Sequence, residues 1–383
     1  MTMKFEFTNT FLAIICVIFL LFLISIEAGA ADYDNDTLLD FTWEAADGNV
    51  DHYNIYVSTD DEYVLVGTTS ETAYTVTGSD GHTYKIKVEA VDAAGNIGPM
   101  SEESEPVICD VVEPATDLQT MISGTSLLLE WTASTEAVSY NIYRDTESDF
   151  TPDQDNQIAT GVNDEDTEAE GVQWTDPNNG VGDTSSNYFY TITAVNTVGN
   201  ESAPSNKAGD FDFALKTTSG KKYNWIALPL DSDITKASEL CSTIGSSCAE
   251  VSRYDATMQG YYTYVPALPF TDFDLIQGYP YRVTMTANAT FSLASKVLTS
   301  WPTFTLKTTP GKKYNWLSLP FDKGITKASE LCSAIGSSCA EVSRYDATMQ
   351  GYYTYVPALP FTDFDLVPGY PYRVTMLADV TWP

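Results

Sequence analysis

The sequence predicts a mainly β protein: two antiparallel β-sandwiches in tandem, then two near-identical small β-rich (α+β) domains, each with one short helix and one disulfide. Three observations carry this expectation. From about position 37 to 206, short runs of alternating apolar and polar residues are separated by turn residues, the pattern of half-buried strands. Aromatic residues make up 13% of the chain, and rings suit a pleated, half-buried surface. From Phe213 onward the sequence repeats itself at an offset of 91, so that Trp225 matches Trp316, Cys241 matches Cys332, Arg253 matches Arg344 and Tyr281 matches Tyr372, with roughly four in five positions identical.

The first thirty residues stand apart. Residues 11–26 form an apolar run interrupted only by Ser25, followed by Ala28-Gly29-Ala30-Ala31. The run is a little short for a bilayer span and an Ala-x-Ala site follows it, so residues 1–30 read as a secretory signal peptide cut after Ala30. Cys16 lies inside the run and leaves with it. The mature chain is then expected outside the cell or on its surface, with no membrane span. What remains suits several domains of ordinary size, with boundaries predicted at 31–110, 111–209, 210–298 and 299–383.

In residues 31–110, strands are predicted around Leu39 to Trp43, His52 to Val57, Tyr63 to Val66, Tyr74 to Val76 and Tyr84 to Val91. Residues 111–209 repeat the scheme with Leu127 to Trp131, Ser139 to Tyr143 and Tyr188 to Asn196. Each segment has a Trp in an early strand (Trp43, Trp131), a Tyr about ten residues later (Tyr53, Tyr140), and a long late strand ending in Ala93-Ala94-Gly95-Asn96 or Thr197-Val198-Gly199-Asn200. In these features the two segments resemble fibronectin type III domains. The resemblance implies that Trp43 and Trp131 fill cores and that Tyr84 and Tyr188 pin a corner through their hydroxyls. The stretch 150–174 is longer and more acidic than a usual sandwich loop, and no Arg-Gly-Asp tripeptide supports integrin-type adhesion.

In each C-terminal copy, Phe213 to Lys216 and Trp225 to Pro229 read as strands joined by the turn Ser219-Gly220-Lys221-Lys222. A short helix follows over 235–245, with Thr235 as N-cap, Gly245 just past its end, and Ala237, Leu240, Cys241 and Ile244 on one face. Strand alternation returns at 250–254, 261–265 and 279–285. The copies resemble Trp-Asn-x-x-x-Leu-Pro modules near the ends of secreted prokaryotic surface proteins, which implies a location more than an activity.

Cys241 and Cys248, and likewise Cys332 and Cys339, have six residues between them. In an exported chain an even, locally paired set reads as disulfides. A zinc site would want histidine, and this half has none. Cys109 reads as a small buried residue or an inter-chain partner.

Charge divides the chain. The total is -34, yet residues 31–210 hold 36 acidic and 4 basic side chains, whereas 211–383 hold 15 and 14. The acidic half repels nucleic acid and attracts cations, and the neutral half can associate.

Catalysis finds no support. His52 and His82 are the only histidines, and no metalloprotease, nucleophile-elbow, phosphate-loop or haem-attachment motif occurs. Asp363 and Asp365 on one short segment read as a solvated strand face. No cofactor is expected except calcium, for which Asp32, Asp34, Asp36 and Asp40 offer oxygen ligands at alternating spacing, although Thr37 stands where a calcium loop wants Gly. The acidic loop Asn163-Asp164-Glu165-Asp166 is a second calcium candidate. Asn35, Asn200 and Asn288 begin glycosylation sequons.

These features predict a non-catalytic extracellular structural protein, a cell-surface or filament-forming subunit. Its partners would be other copies of itself, joined head-to-tail through the C-terminal repeats, or other surface components. The alternatives are a glycan-binding or adhesive module, using Tyr262, Tyr264, Tyr353 and Tyr355 from the aromatic-rich copies, or the non-catalytic tail of an exported complex. Thr381-Trp382-Pro383 echoes Ser300-Trp301-Pro302, which leads into the second copy, so a strand edge there is expected to accept a neighbour's strand.

Overall fold

The computed structural model describes residues 32–34, 37–59, 62–163, 171–218, 222–308 and 314–382. The expected signal peptide, Asn35, Asp36 and most of the acidic loop after Asn163 lie outside them. The chain divides into two compact units, 1–111 and 112–383.

In the first unit the strands are β1 (Asp32–Asp34), β2 (Leu38–Thr42), β3 (Val50–Thr59), β4 (Glu62–Thr69), β5 (Ala73–Thr77), β6 (Thr83–Asp92) and β7 (Val107–Cys109). They form one sheet in the order β1-β7-β6-β3-β4 and a second of β2 and β5. Period-two alternation on β2, β3 and β6 buries Leu39, Phe41, Ile55, Val57, Ile86 and Val88 between the sheets. Trp43 meets Tyr53 edge-on, with ring centroids 5.4 Å apart. The Tyr84 hydroxyl accepts the Ser79 N–H at 2.9 Å, the expected corner. After β6 the Ser101 and Ser104 hydroxyls accept the Val88 and Ile86 amides at 3.0 Å, so side-chain oxygens cap backbone donors where a regular strand is missing.

The second unit begins with β8 (Thr116–Ser123), β9 (Ser126–Thr132), β10 (Ser139–Asp145), β11 (Gln157–Val162), β12 (Val172–Gly180) and β13 (Tyr188–Val195). Sheet β12-β9-β8 faces β11-β10-β13 across Leu127, Leu129, Trp131, Ile142 and Ile192. Trp131 meets Tyr140 as Trp43 meets Tyr53, at 5.1 Å. The expected corner does not recur at Tyr188. That ring is half-buried under the Arg144 guanidinium, and Tyr190 instead points its hydroxyl inward to Asp176 at 2.9 Å.

The expected boundary at 209/210 falls inside β14 (Ala208–Leu215). This strand pairs with β13 at its start and along its whole length with β20 (Ala289–Val297), whose far edge takes β16 (Leu230–Asp231). Second sandwich and first repeat therefore share one sheet, β11-β10-β13-β14-β20-β16.

The first repeat adds β15 (Tyr223–Ala227), α1 (Ala237–Ile244), β17 (Cys248–Asp255), β18 (Gly260–Tyr264) and β19 (Pro280–Met285), in a sheet β15-β19-β17-β18. β14 and β15, adjacent in sequence, belong to different sheets. The second repeat follows the same plan with β21 (Phe304–Leu306), β22 (Tyr314–Ser318), α2 (Ala328–Ile335), β23 (Cys339–Asp346), β24 (Gly351–Tyr355), β25 (Pro371–Met376) and β26 (Val380–Trp382), the last pairing with β21.

Helix α1 buries Ala237, Leu240, Cys241 and Ile244, the face read from the spacing. It begins later than the Thr235 cap predicted, because the Glu239 carboxylate accepts the Thr235 and Lys236 amides at 2.8 and 2.9 Å and makes Lys236 the N-cap. Disulfides Cys241–Cys248 and Cys332–Cys339 tie each helix to the strand after it. Chain entropy assigns so short a loop about 2–3 kcal/mol.

Candidate functional site

The aromatic strands of the two repeats face each other, and their contacts are reciprocal. Trp225 and Trp316, equivalent by the offset, stack at 3.4 Å with planes 15° apart. Gln350 accepts the Tyr223 N–H and donates to its carbonyl, both at 2.8 Å; Gln259 does the same to Tyr314 at 3.1 and 2.9 Å. Tyr279 packs on Phe304 at 5.1 Å, and its counterpart Tyr370 packs on Phe213 at 5.2 Å. In each pair, residue i of one copy meets residue j of the other, and the reverse also holds. This is the signature of a two-fold, isologous contact.

Guanidinium groups thread the rings. Arg282 lies 3.8 Å from the Tyr261 centroid and 4.6 Å from Tyr223, and Arg373 stands 3.7 and 4.5 Å from Tyr352 and Tyr314. Such stacking keeps charge beside a ring at little cost. Burial raises the Tyr261 and Tyr352 hydroxyls above the usual tyrosine range, with the arginines pulling the other way.

Gln259 and Gln350 were not legible as interface residues. They close the β17–β18 and β23–β24 turns at φ 49° and 51°, a left-handed backbone that glutamine seldom adopts. Their amides reach the facing repeat from that conformation. The signal in the sequence was the turn Asp-Ala-Thr-Met-Gln-Gly, which marked a hairpin but not what the hairpin touches.

Glycine contacts repeat the reciprocity. At Gly369, φ 83°, a Cβ would stand 2.8 Å from the Phe211 ring, and at Gly278, φ 78°, 2.7 Å from the Pro302 ring. Position 302 is the equivalent of 211. Gly369→Ala should therefore cost about 1–2 kcal/mol, from strain and the forced shift of Phe211. Urea unfolding would check it, and an unchanged midpoint would contradict the close approach.

Of the tyrosines predicted to bind ligand, Tyr264 and Tyr355 are only 8% exposed and belong to the repeat cores. Alternation turns them inward, away from Tyr262 and Tyr353. Those two are exposed, with Arg253 and Arg344 over their rings at 5.4 and 5.2 Å. The most exposed large side chains are ones the sequence did not separate from the other rings. Phe270 is 83% and Phe361 82% exposed, each on a short turn after the fourth strand of its sheet. That turn is fixed: Thr271 Oγ1 donates to the Leu268 carbonyl at 2.7 Å and accepts the Val265 amide at 3.1 Å, and Asp272 accepts the Ser238 amide at 3.0 Å. Thr362 and Asp363 repeat these bonds. Leu268 and Leu359 are exposed beside them.

Elsewhere, Asp32–Asp34 is an extended strand running parallel to β7, rather than a curved loop, and Asp40 is exposed and accepts the Thr75 hydroxyl. Among the described residues no group of three or more His, Cys, Asp and Glu gathers as a metal centre. Asn288 is exposed and accepts the Thr217 amide at 2.7 Å, and Asn200 ends the turn built on Asn196. No described helix is long and apolar enough to cross a membrane.

Among known families, residues 30–107 match the fibronectin type III domain. One similar solved structure is a Fn3-like protein from Clostridium thermocellum, 26% identical over 25% of this chain and 88% of that one, with a TM-score of 0.20. No curated protein matches the chain. The first sandwich, with its buried Trp43 and its Tyr84 corner, is a fibronectin type III domain.

Proposed function

We propose that the chain is a non-catalytic structural or adhesive protein, exported to the cell surface or beyond, whose C-terminal repeats act as one paired block. Phe270 and Phe361 are its contact points for other copies or for neighbouring surface components. The observation that carries this reading is a large ring held almost wholly in solvent by the same fixed turn in both copies. Phe270 with Leu268, and Phe361 with Leu359, expose apolar groups side by side on each turn, the kind of patch that marks an interaction surface, and a turn already ordered loses little entropy on docking. Two equivalent points on one chain let each copy bridge two neighbours, which is how a filament or layer extends. The disulfides and the fibronectin type III domain support the location, and the apolar run with its Ala-x-Ala site agrees with it.

Phe270→Ser combined with Phe361→Ser should leave stability within about 0.5 kcal/mol, since neither ring is packed. In sedimentation velocity the native mature chain should associate as concentration rises, and the double variant should not. A native chain that stays monomeric at high concentration with calcium present would sink the proposal. The glycan reading retains Tyr262 and Tyr353, whose faces are partly open; a glycan array on the native chain with no binding would remove it.

A further inference from the structure

Strand β14 carries Asp210 and Asp212 on one side, two residues apart, in a strand buried on both faces. They are 2% and 1% exposed. Around them run the end of β12 and the turn after it. Asn179 Nδ2 donates to Asp210 Oδ2 at 2.9 Å, and the Gly182 amide donates to Asp212 Oδ2 at 2.9 Å. Asn187 accepts the Asp212 amide at 2.9 Å, and the Tyr370 hydroxyl of the second repeat points to the Asp212 carbonyl at 3.4 Å. Second sandwich, first repeat and second repeat all meet here.

What the cluster lacks is positive charge. Arg144, the basic side chain bound within it, is spent on Asp176 at 2.8 Å. The charges that act on Asp210 are Asp212, Asp176 and Asp183, all acidic. Asp210 Oδ1 is buried and accepts no hydrogen bond. Asp212 Oδ1 is buried too, and besides the Gly182 amide only the Ser292 hydroxyl of the paired strand acts on its carboxyl. A buried carboxylate oxygen without a donor costs several kcal/mol unless an ion, a proton or water meets it. Two buried carboxylate oxygens short of donors, on neighbouring side chains, leave a place for one cation.

We propose that Asp210 and Asp212 bind a calcium ion at the junction of the second sandwich and the two repeats. Calcium takes hard oxygen ligands in a flexible shell, and two carboxylates completed by water suit it better than the strict octahedron of magnesium. So few charged ligands imply weak binding, with Kd about 0.1–1 mM, the range of extracellular modules. Bound calcium would neutralise the pair on the strand that the second sandwich and the first repeat share, stiffening the block that carries Phe270 and Phe361. The site stands on β14 alone and does not depend on what those rings bind.

The test is thermal unfolding of the full mature chain at pH 7.5, first in EDTA and then with calcium chloride added at fixed ionic strength. The native chain should show a saturable rise of about 4 °C at tenfold excess over Kd. The Asp210→Asn/Asp212→Asn variant should lose that rise while melting no lower than the native chain in EDTA. If the double variant does not fold, terbium emission excited through tyrosine serves instead. Calcium should compete it away in the native chain, and Asp212→Asn alone should remove that component. No saturable rise in the native chain would mean that protons or water alone relieve the pair. A rise retained in the variant would place the ion elsewhere, in the acidic surface. Either result overturns the proposal.

Discussion

In EDTA the second unit should melt roughly 5–10 °C higher at pH 5 than at pH 8, the reverse of what acidification does to most carboxylate-rich proteins. Burial, with Asp212 beside it, pushes Asp210 up to about 7 from its ordinary 3.8. Burial raises Asp212 as well. A carboxyl whose folded pKa lies above its unfolded one binds its proton more tightly in the native state. The native state is then penalised as pH climbs from about 4 to 7, and the penalty is complete above 7. Between pH 8 and pH 5 the relief from Asp210 alone is roughly 2–3 kcal/mol. The lowered carboxylates work the other way: Asp92 and Glu239, exposed or nearly so, are held down by local hydrogen bonds, half-buried Asp272 and Glu201 by hydrogen bonds that outweigh their burial, and this support is lost only below about pH 4.

Net charge complicates the comparison, because a chain at -34 is relieved of self-repulsion by acid whatever its interior does. Asp210→Asn separates the two effects. It keeps the shape and the acceptor for Asn179, removes the titrating proton, and should flatten the second unit's pH profile between 5 and 8. The first unit is a built-in control, since no described carboxylate there is buried. An Asp210→Asn profile as steep as the native one would show that surface charge, not the buried pair, drives the effect.

The sequence disclosed what short-range pattern controls. Alternation placed Leu39, Ile55, Ile86 and Val88 in the first core, the i, i+3, i+4, i+7 spacing found the buried face of α1, and the even cysteines paired locally. It failed where a residue's role is decided by a distant strand. Tyr188 sits in a register that matched Tyr84, but its ring lies under the Arg144 guanidinium, and Tyr190 turns inward to Asp176. The boundary predicted at 209/210 put Asp210 at the edge of a domain. In fact β14 has sheet neighbours on both sides and layers on both faces. The signal was present: Asp210-Phe211-Asp212-Phe213 alternates as a strand, yet both of its faces are buried. Alternation alone cannot say that the polar face is covered too, because the cover comes from the distant segment 176–187.

The reciprocal contact makes a sharper demand on the duplicated half than any single substitution could. Trp225→Ala and Trp316→Ala each remove a stacked, buried indole, and each should cost about 3–5 kcal/mol. The two rings are each other's main partner at 3.4 Å, so the second truncation removes a contact the first has already destroyed. The double variant should fall short of the sum by about 1–2 kcal/mol. Equivalent positions that each met a different surface, as in a head-to-tail array, would give additive costs, as residues without shared partners do. A double-mutant cycle by urea unfolding of the mature chain decides between them. Gln259→Ala and Gln350→Ala extend the test: their amides bond Tyr314 and Tyr223 across the same contact, at opposite ends of the Trp stack, so they should weaken it separately and nearly additively. If the Trp pair is additive, the repeats do not hold each other through this face. The aromatic strands would then be free to meet other molecules, and the case for Phe270 and Phe361 as the main contact points would weaken with them.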